Sequence, residues 1–296
     1  MTSSKTKPAL AYGLLSLVVV IWGFNFSFVK WVISQVHPLA FNVVRFSLAS
    51  ILIVIVLMIK EGWQLMPVFD LIKMITLGLL GHTIYQIFFI SGLSLTTAGN
   101  SSLLIATSPI WTAIISAGLK KDDVTKKAWI GIIMAFAGVF LVTVGGGNKL
   151  SLVGSKTTGD LLTVAAALSL SLYTVLSRDL LDRYSPLRLT AITMLFGMAG
   201  LWIFAGRRVV VQDWFSISLV SWGVIVYSAV FSVVFGYIVW FTAVRTVGPT
   251  RVAVFNNMTP IVAFSVAFML LGEPIAWLQV VGGLTVILGI LLTVRN

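Results

Sequence analysis

Apolar residues dominate this chain in long runs that are separated by short polar stretches. Ten of these runs approach the length of about 20 residues that an α-helix needs to cross the hydrocarbon core of a bilayer. Their approximate bounds are residues 9–29, 39–59, 71–93, 98–119, 129–144, 161–177, 187–205, 219–244, 250–271 and 275–294. The pattern predicts an all-α integral membrane protein with ten transmembrane helices and short loops.

Composition supports the same class. Of the 296 residues, 58% are hydrophobic and only 10% are charged, whereas a soluble domain carries roughly 25% charged residues. Cysteine is absent, so the sequence excludes disulfides and thiolate metal sites. The first run follows Lys5 and Lys7, as a signal peptide would. It is too long for a signal sequence and lacks a small-residue cleavage site, so we interpret it as a retained helix.

Lysine and arginine residues predict the orientation. With the N-terminus in the cytoplasm, fourteen of the 20 basic residues fall on the cytoplasmic side, five fall outside and Arg45 lies within the second span. This bias satisfies the positive-inside rule and predicts that both termini are cytoplasmic. It also explains the net charge of +11 by a basic face beside anionic membrane lipid, with no nucleic acid as a partner.

The two halves of the chain match weakly but in order. An offset of 151 residues aligns Pro109 with Pro260, Gly131 with Gly282 and Gly138 with Gly289. An offset of 148 aligns His37-Pro38 with Ser185-Pro186. The order of these matches predicts a duplication, with one five-helix repeat at residues 1–147 and a second at 148–296. Because five is odd, the second half enters the membrane from the opposite side, as in many secondary transporters with inverted-topology repeats.

Several segments resemble one known family. They are VIWGFNFSFVK in the first span, TSPIWTAII and MTPIVAFSVAF around the aligned prolines, and LLGEP with QVVGGLTVILGI near the C-terminus. Over nearly its whole length the chain resembles the EamA family of the drug/metabolite transporter superfamily, and within it the amino-acid exporters of the YddG type. The resemblance implies a ten-helix carrier with inverted five-helix repeats, and it indicates fold better than substrate.

The aligned prolines predict kinked helices. Proline lacks an N–H, so Pro260 leaves the carbonyl of Asn256 without its helix partner, and Pro109 does the same for Ile105. An unpaired carbonyl in lipid costs several kcal/mol unless protein, water or ligand satisfies it. Two interpretations stay open. Both kinks present acceptors to a central cavity, with Asn256 in the binding site, or a neighbouring Ser or Thr satisfies each freed carbonyl.

Polar side chains in the third span share one helix face. His82, Tyr85, Gln86 and Phe89 follow the spacing i, i+3, i+4 and i+7. Imidazole and amide groups are costly to bury in a membrane, so we predict that this face points inward.

The same offsets extend this face to the other half. They pair Gln86 with Tyr237, Phe89 with Trp240 and Asn25 with Tyr173. Trp22 shares a helix face with Asn25. We predict one substrate-binding pocket between the halves, formed by these side chains. The alternative for the Trp and Tyr residues is a belt at the membrane interface or simple core packing.

Glycines predict where helices pack closely. They recur at seven-residue spacing in the fifth and tenth spans, as Gly131 with Gly138 and Gly282 with Gly289. Small residues allow close helix approach, so we interpret these spans as scaffold. Glu273 is interpreted as a carboxylate that stabilises the N-terminus of the last helix. For Arg45, two interpretations stay open: it lines the route of an anionic group, or it snorkels and pairs with backbone carbonyls.

Carboxylates are absent from the middle of the predicted spans, since all nine acids fall in loops or near span ends. The related small multidrug pumps carry a glutamate in their first helix, whereas the comparable region here reads VVVIWGFNFSF. Cationic drug–proton antiport is therefore disfavoured. An intramembrane enzyme, the rival class, would need paired acids, a metal cluster or a nucleophile with a base. His37 and His82 lie in different segments without acidic partners.

The sequence therefore predicts a carrier of the bacterial inner membrane that exports small amphiphilic metabolites by alternating access. Neutral or aromatic amino acids are the favoured substrates, and drugs or other metabolites are the alternative. His82, Gln86 and Asn25 could donate to a carboxylate, and amide oxygens with the proline-freed carbonyls could accept from an ammonium. We expect no cofactor and no metal, a small-molecule substrate, contact with membrane lipid, and a monomeric carrier.

Overall fold

A computed structural model describes residues 8–119, 125–145, 155–247, 252 and 258–294. These residues form helices joined by short loops, with no strand among them. The helices are α1 Pro8–Val32, α2 Pro38–Lys60, α3 Val68–Leu95, α4 Ala98–Gly118, α5 Lys126–Gly145, α6 Ser155–Leu181, α7 Pro186–Val211, α8 Leu219–Val247, α9 Thr259–Leu271 and α10 Trp277–Val294. By length and composition, seven can cross a membrane, namely α1 to α4 and α6 to α8, while α5, α9 and α10 contain shorter apolar stretches.

Equivalent caps begin the second helix of each half. Pro38 and Pro186 occupy the first turn of α2 and α7, where the missing proline N–H has no helical partner to lose. His37 Nδ1 accepts a backbone N–H of the first turn of α2 at 3.2 Å. Ser185 Oγ does the same for α7 at 3.0 Å. The alignment at offset 148 therefore reflects a shared way of starting a helix.

The helices of the two halves pack against each other in matching pairs. α2 packs on α7 and α5 packs on α10, so two helices meet their own counterparts. α1 packs on α8 and α9, while α6, its counterpart, packs on α3 and α4. This exchange is the packing that an inverted repeat produces, and it leaves a central region surrounded by helices of both halves. The repeat bounds of 1–147 and 148–296 stay a prediction.

The glycines of α5 and α10 bring the two backbones together. A Cβ atom on Gly138 would lie 2.7 Å from the carbonyl oxygen of Gly282, and one on Gly282 would lie 2.8 Å from the carbonyl oxygen of Gly138. Such distances are shorter than van der Waals contact, so neither position has room for a side chain. The prediction of a close-packed scaffold is confirmed for this helix pair.

A π-helical stretch interrupts α3 at Leu79–Ile84 and α8 at Ser228–Phe235. The offset of 151 maps residues 79–84 onto 230–235, so both halves carry the distortion at the same place. A π-turn contains more residues per turn than an α-turn, so it changes the direction of the side chains that follow, and it recurs at functional sites. Here each stretch immediately precedes residues that face the centre of the protein.

Candidate functional site

A central cavity lies where α1, α2, α3 and α6 meet α8 and the adjoining parts of α4 and α9. It has about 70 Å³ of free space, enough for roughly five water molecules. Seven predicted residues line it: Trp22, Asn25, Tyr85, Gln86, Phe89, Tyr237 and Trp240. The predicted substrate-binding set did not include the other seven, although a route-lining role stayed open for Arg45: Phe26, Arg45, Ile105, Leu170, Ser232, Val233 and Thr259.

Aromatic rings form much of the cavity wall. Trp22 and Trp240, one from each half, approach with ring centroids 5.5 Å apart. The Trp22 indole N–H also donates to the carbonyl oxygen of Ser232 at 2.9 Å. Phe89 packs edge-on against Phe26 at 5.6 Å. Trp240 is only 8% exposed, so it contributes to the central site and not to a belt at the membrane interface.

Arg45 is the centre of a buried polar network on one side of the cavity. Its guanidinium donates to Asn42 Oδ1 at 2.6 Å, to Gln86 Oε1 at 2.8 Å and to Ser228 Oγ at 3.1 Å. Ser228 Oγ in turn donates to Asn25 Oδ1 at 2.7 Å. These bonds join α1, α2, α3 and α8, and every partner is neutral.

Arg45 does not snorkel. It lies seven residues into α2, which corresponds to about 10 Å along the helix axis, and it is only 2% exposed. Its guanidinium carbon lies 5.3 Å from the Phe41 ring centroid and 5.2 Å from that of Phe46. A charged side chain within a membrane helix is costly and rare, so its retention here points to a specific role.

His82 and Tyr173 form a second network behind the cavity wall. His82 Nε2 lies 3.2 Å from Tyr173 Oη and 3.3 Å from Thr193 Oγ1, and these two oxygens are 2.9 Å apart. All three side chains are fully buried, and none of them is among the residues that line the cavity. The structure therefore places His82 and Tyr173 as supports of the wall.

His82 does not face the cavity because α3 is distorted between His82 and Tyr85. His82 lies inside the π-helical stretch, whereas Tyr85 and Gln86 follow it. The regular spacing used to assign one shared face therefore does not hold across this point. Tyr85, Gln86 and Phe89, all beyond the π-helical stretch, do share the cavity face.

Pro109 does not create a free acceptor. α4 breaks at residues 106–107, and Pro109 lies in the first turn of the segment Ser108–Gly118. Ser108 Oγ donates to the carbonyl oxygen of Ile105 at 2.5 Å. The alternative in which a neighbouring Ser satisfies the freed carbonyl is therefore correct for this helix.

Pro260 also lies in the first turn of a helical segment, at the start of α9. It lines a separate apolar groove with residues of α4 and α10, outside the central cavity. Asn256, predicted for the binding site through its carbonyl, lies outside the described residues. Thr259, three residues further on, is the part of this region that reaches the cavity wall.

Ionic contacts join the halves at the end predicted to be cytoplasmic. Arg188 Nε lies 3.3 Å from Glu61 Oε2, and Arg183 lies 2.7 Å from Asp70 Oδ2. Tyr184 Oη donates to the same Asp70 oxygen at 2.7 Å. Burial, followed by the bond to Asp70 and its charge, raises the pKa of Tyr184, so the hydroxyl keeps its proton for this bond.

At the opposite end, Lys30 and Glu273 contact backbone groups. The Lys30 ammonium donates to the carbonyl oxygens of Leu93 at 2.8 Å and Thr96 at 2.6 Å, at the end of α3. Glu273 Oε1 accepts the N–H of Ala98 at 3.0 Å, so Glu273 does stabilise a helix N-terminus. The helix is α4, however, and not the last helix as predicted, because the chain between α9 and α10 passes over the start of α4.

Site residues outside the predicted substrate-binding set, whether they line the cavity or bond to residues that do, have only partial signals in the sequence. Phe26 lies four residues after Trp22, on the same face of α1. Arg45 and Asn42 share a face of α2 at a spacing of three. Ile105, Leu170 and Val233 are ordinary apolar residues, and no sequence pattern distinguishes them from lipid-facing ones. Within the described residues, no cluster of three or more His, Asp or Glu side chains could hold a metal ion.

Comparisons with known proteins agree with this architecture. The model of the EamA-like transporter family matches residues 9–144 and again 157–295. The uncharacterized transporter YyaM of Bacillus subtilis is 30% identical over 287 residues, covering 94% of this chain and 93% of its own. An uncharacterized transporter of Archaeoglobus fulgidus is 29% identical over 287 residues, covering 96% and 98%. A crystal structure with 15% identity has a TM-score of 0.69, covering 96% of this chain and 97% of that chain, which shows a shared fold.

Proposed function

The chain belongs to the EamA-like transporter family, and we propose that it exports small amphiphilic metabolites, neutral or aromatic amino acids above all, across the bacterial plasma membrane. It is a multi-pass membrane transporter, as its apolar helices and its transporter relatives indicate. In the proposed arrangement all ten helices cross the bilayer, both termini are cytoplasmic, and one copy of the chain works alone without a cofactor.

The central cavity is the observation that supports this function. It lies between helices of both halves, which is where inverted-repeat carriers bind their substrates. Its wall combines aromatic rings, which suit an apolar side chain, with amide and hydroxyl groups, which suit a polar head. Rocking of one half against the other would expose this cavity to each side of the membrane in turn.

The limited free space favours small solutes. About 70 Å³ is too little for a large drug, and an aromatic amino acid would require the Trp22 and Trp240 rings to separate. Lipophilic cations are further disfavoured because the cavity carries the positive charge of Arg45. Export of other small metabolites is the alternative that the mixed wall leaves open.

Counterflow in proteoliposomes tests the proposal. Vesicles loaded with an unlabelled amino acid should take up the same labelled amino acid faster than empty vesicles, across a panel of neutral and aromatic amino acids. Lipophilic cations should not exchange. If cations exchange and no amino acid does, the proposed substrate class is wrong.

Two substitutions link this transport to the cavity. Gln86→Leu removes an acceptor from buried Arg45. A hydrogen bond to a charged group is strong enough that its loss should lower the rate of exchange by roughly tenfold or more. Trp240→Ala removes an aromatic wall. Both should depress exchange while protein level and monodispersity stay near wild type. The matched controls are the exposed residues Gln64 and Trp277, where Gln64→Leu and Trp277→Ala should leave exchange unchanged. Undiminished exchange in both cavity variants would show that these residues serve only packing.

A further inference from the structure

We propose that Arg45 binds the carboxylate of the transported solute, so that the carrier selects solutes with one anionic head and an apolar body. This inference rests on the proposed function, because it assigns the substrate class of the same cavity. It also resolves the two interpretations of Arg45 that the sequence left open.

The charge of Arg45 has no neutralising partner. Arginine carries its positive charge throughout the physiological pH range, and its bonded side chains, those of Asn42, Gln86 and Ser228, are neutral. No ion pair involves Arg45 within the described residues. Buried charges are ordinarily paired, so a negative charge carried by the solute would complete the site.

Two hydrogen-bond donors on residues of the cavity wall lack an acceptor, and both atoms are enclosed, so a solute would reach them once the side chains around them shift. Three of the five N–H donors of the guanidinium are used by the neutral partners, and Arg45 Nε has no acceptor among the described residues. Trp240 Nε1, on another residue of the cavity wall, also has none there. Both atoms donate and neither accepts, so they match the oxygen atoms of a carboxylate.

The neutral partners of Arg45 act as positioning residues. Asn42 lies one turn before Arg45 on α2, and Gln86 and Ser228 approach from α3 and α8. Together they hold the planar guanidinium while leaving Nε unbonded. Because both N–H groups of Nη2 are already bonded, the free Nε–H donates to one carboxylate oxygen in a fixed direction, which a mobile lysine ammonium does not provide.

The other half of the protein shows that the fold does not require a charge here. The offset of 148 places Thr193 of α7 at the position of Arg45 in α2. Thr193 fills its place with neutral contacts, to Tyr173 at 2.9 Å and to His82 at 3.3 Å. The position on α7 therefore carries a neutral hydroxyl, whereas the equivalent position on α2 carries a cation with free donors. This asymmetry would orient a solute with its carboxylate toward α2.

Three probes of similar size separate the contribution of the carboxylate. L-leucine has a carboxylate and an ammonium, 4-methylpentanoate has only the carboxylate, and L-leucinol has only the ammonium. Their binding to the purified protein in nanodiscs is measured through tryptophan fluorescence, because Trp22 and Trp240 line the cavity. Leucine and 4-methylpentanoate should bind to the wild type, and leucinol should bind about tenfold more weakly or worse.

Arg45→Gln should weaken the binding of leucine and 4-methylpentanoate by about tenfold or more and leave that of leucinol no weaker. Arg45→Lys keeps the charge without the planar guanidinium. Its affinities for leucine and 4-methylpentanoate should lie between those of the wild type and those of Arg45→Gln. The matched control is Arg207→Gln, which removes an exposed charge at the end of α7 and should leave all three affinities unchanged. If Arg45→Gln fails to fold, Arg45→Lys takes its place as the variant, and the three probes on the wild type still test whether the site requires a carboxylate.

The outcomes separate the two proposals. Leucinol binding as tightly as leucine, or Arg45→Gln retaining full affinity for leucine, overturns the role of Arg45 while amino-acid transport can stand. Counterflow of 4-methylpentanoate without that of any amino acid overturns the proposed amino-acid substrates and supports Arg45 as the carboxylate site. Binding of none of the three probes, together with no counterflow of any amino acid in the panel, overturns both.

Discussion

At the scale of single residues, two buried polar groups of the central region have different environments. His82 contacts Tyr173 and Thr193 through Nε2, while its Nδ1 has no partner among the described residues, and it supports the cavity wall without lining it. Arg45 lines the cavity with a charge that no side chain neutralises within the described residues. Similar burial therefore does not imply a similar role, because the role depends on which partners complete each group.

The surroundings of His82 predict that it is not a proton carrier. His82→Gln should keep part of the transport, because an amide can still donate to one hydroxyl and accept from another. His82→Leu, the matched variant that loses both contacts, should be more impaired. The measurement is uptake into liposomes with and without an imposed pH gradient, and we expect solute to equilibrate in both. Accumulation well above the external concentration that is driven by the pH gradient and abolished in His82→Gln would make His82 the proton carrier.

At the scale of helices, the residues at helix ends and at contact faces determine where each helix begins and which helices pack together. Caps such as His37 and Ser185 decide where a helix begins, and glycines decide which helices pack backbone to backbone. Neither function requires contact with the solute. Changes at these positions should therefore affect stability before they affect substrate preference.

The cap at His37 predicts a dependence of stability on pH. Burial, followed by the positive charge of Arg208, lowers the pKa of His37 from its ordinary 6.5. The unfolded chain therefore binds a proton that the folded chain resists, and stability is fully present above pH 6.5 and falls as the pH drops through and below that value.

His37→Asn supplies a cap that does not titrate. We expect the thermal midpoint of this variant to decline less between neutral and acidic pH than that of the wild type. Thermal unfolding in nanodiscs at a series of pH values measures the difference. An equal decline in both proteins would show that other groups cause the acid sensitivity.

The glycine contact predicts a large effect on folding. Gly138→Leu should lower the yield and the thermal stability, because its side chain would meet the backbone of α10 near Gly282. Gly223→Leu is the matched control, since no atom lies within 4 Å of the position its Cβ would take. Size-exclusion chromatography and thermal unfolding compare the variants. If Gly138→Leu is as stable as Gly223→Leu, α5 and α10 do not pack as closely as described.

At the scale of the whole molecule, the exchange of helices between the halves builds the site. α1 contacts α8 and α9, while α6 contacts α3 and α4. Helices of both halves therefore supply residues to the cavity wall. Neither half alone could enclose it. The proposed alternating access would move one half against the other, and the ionic contacts of Glu61 and Asp70 lie between helices of the two halves.

This arrangement predicts a defined topology. Both termini should be cytoplasmic and the loop 145–159 should lie outside, as the proposed inverted repeat requires. The chain contains no cysteine, so single cysteines at Thr2, Ser151 and Asn296 can be labelled from either side without background. We expect a membrane-impermeant maleimide added to intact cells to label only Ser151→Cys. Labelling of one terminus from outside would contradict the plan of ten crossings.

The sequence by itself determined the class of protein, the approximate position of its helices and the repetition of its halves. These properties depend on hydrophobic length, on helix periodicity and on residues such as glycine and proline whose effect is local. The same periodicity correctly placed Tyr85, Gln86 and Phe89 on the cavity face. It also identified Gly138 and Gly282 as packing positions.

Only the tertiary structure decided what those helix faces meet. Because of the π-helical stretch in α3, His82 lies behind the cavity wall. Ser108 donates to the carbonyl that Pro109 leaves without a helix partner. Gln86 and Ser228, from segments distant in the chain, accept hydrogen bonds from Arg45. Periodicity gives the direction of a side chain relative to its own helix. Whether that direction leads to lipid, to another helix or to a cavity depends on contacts between segments far apart in the chain, which no local pattern contains.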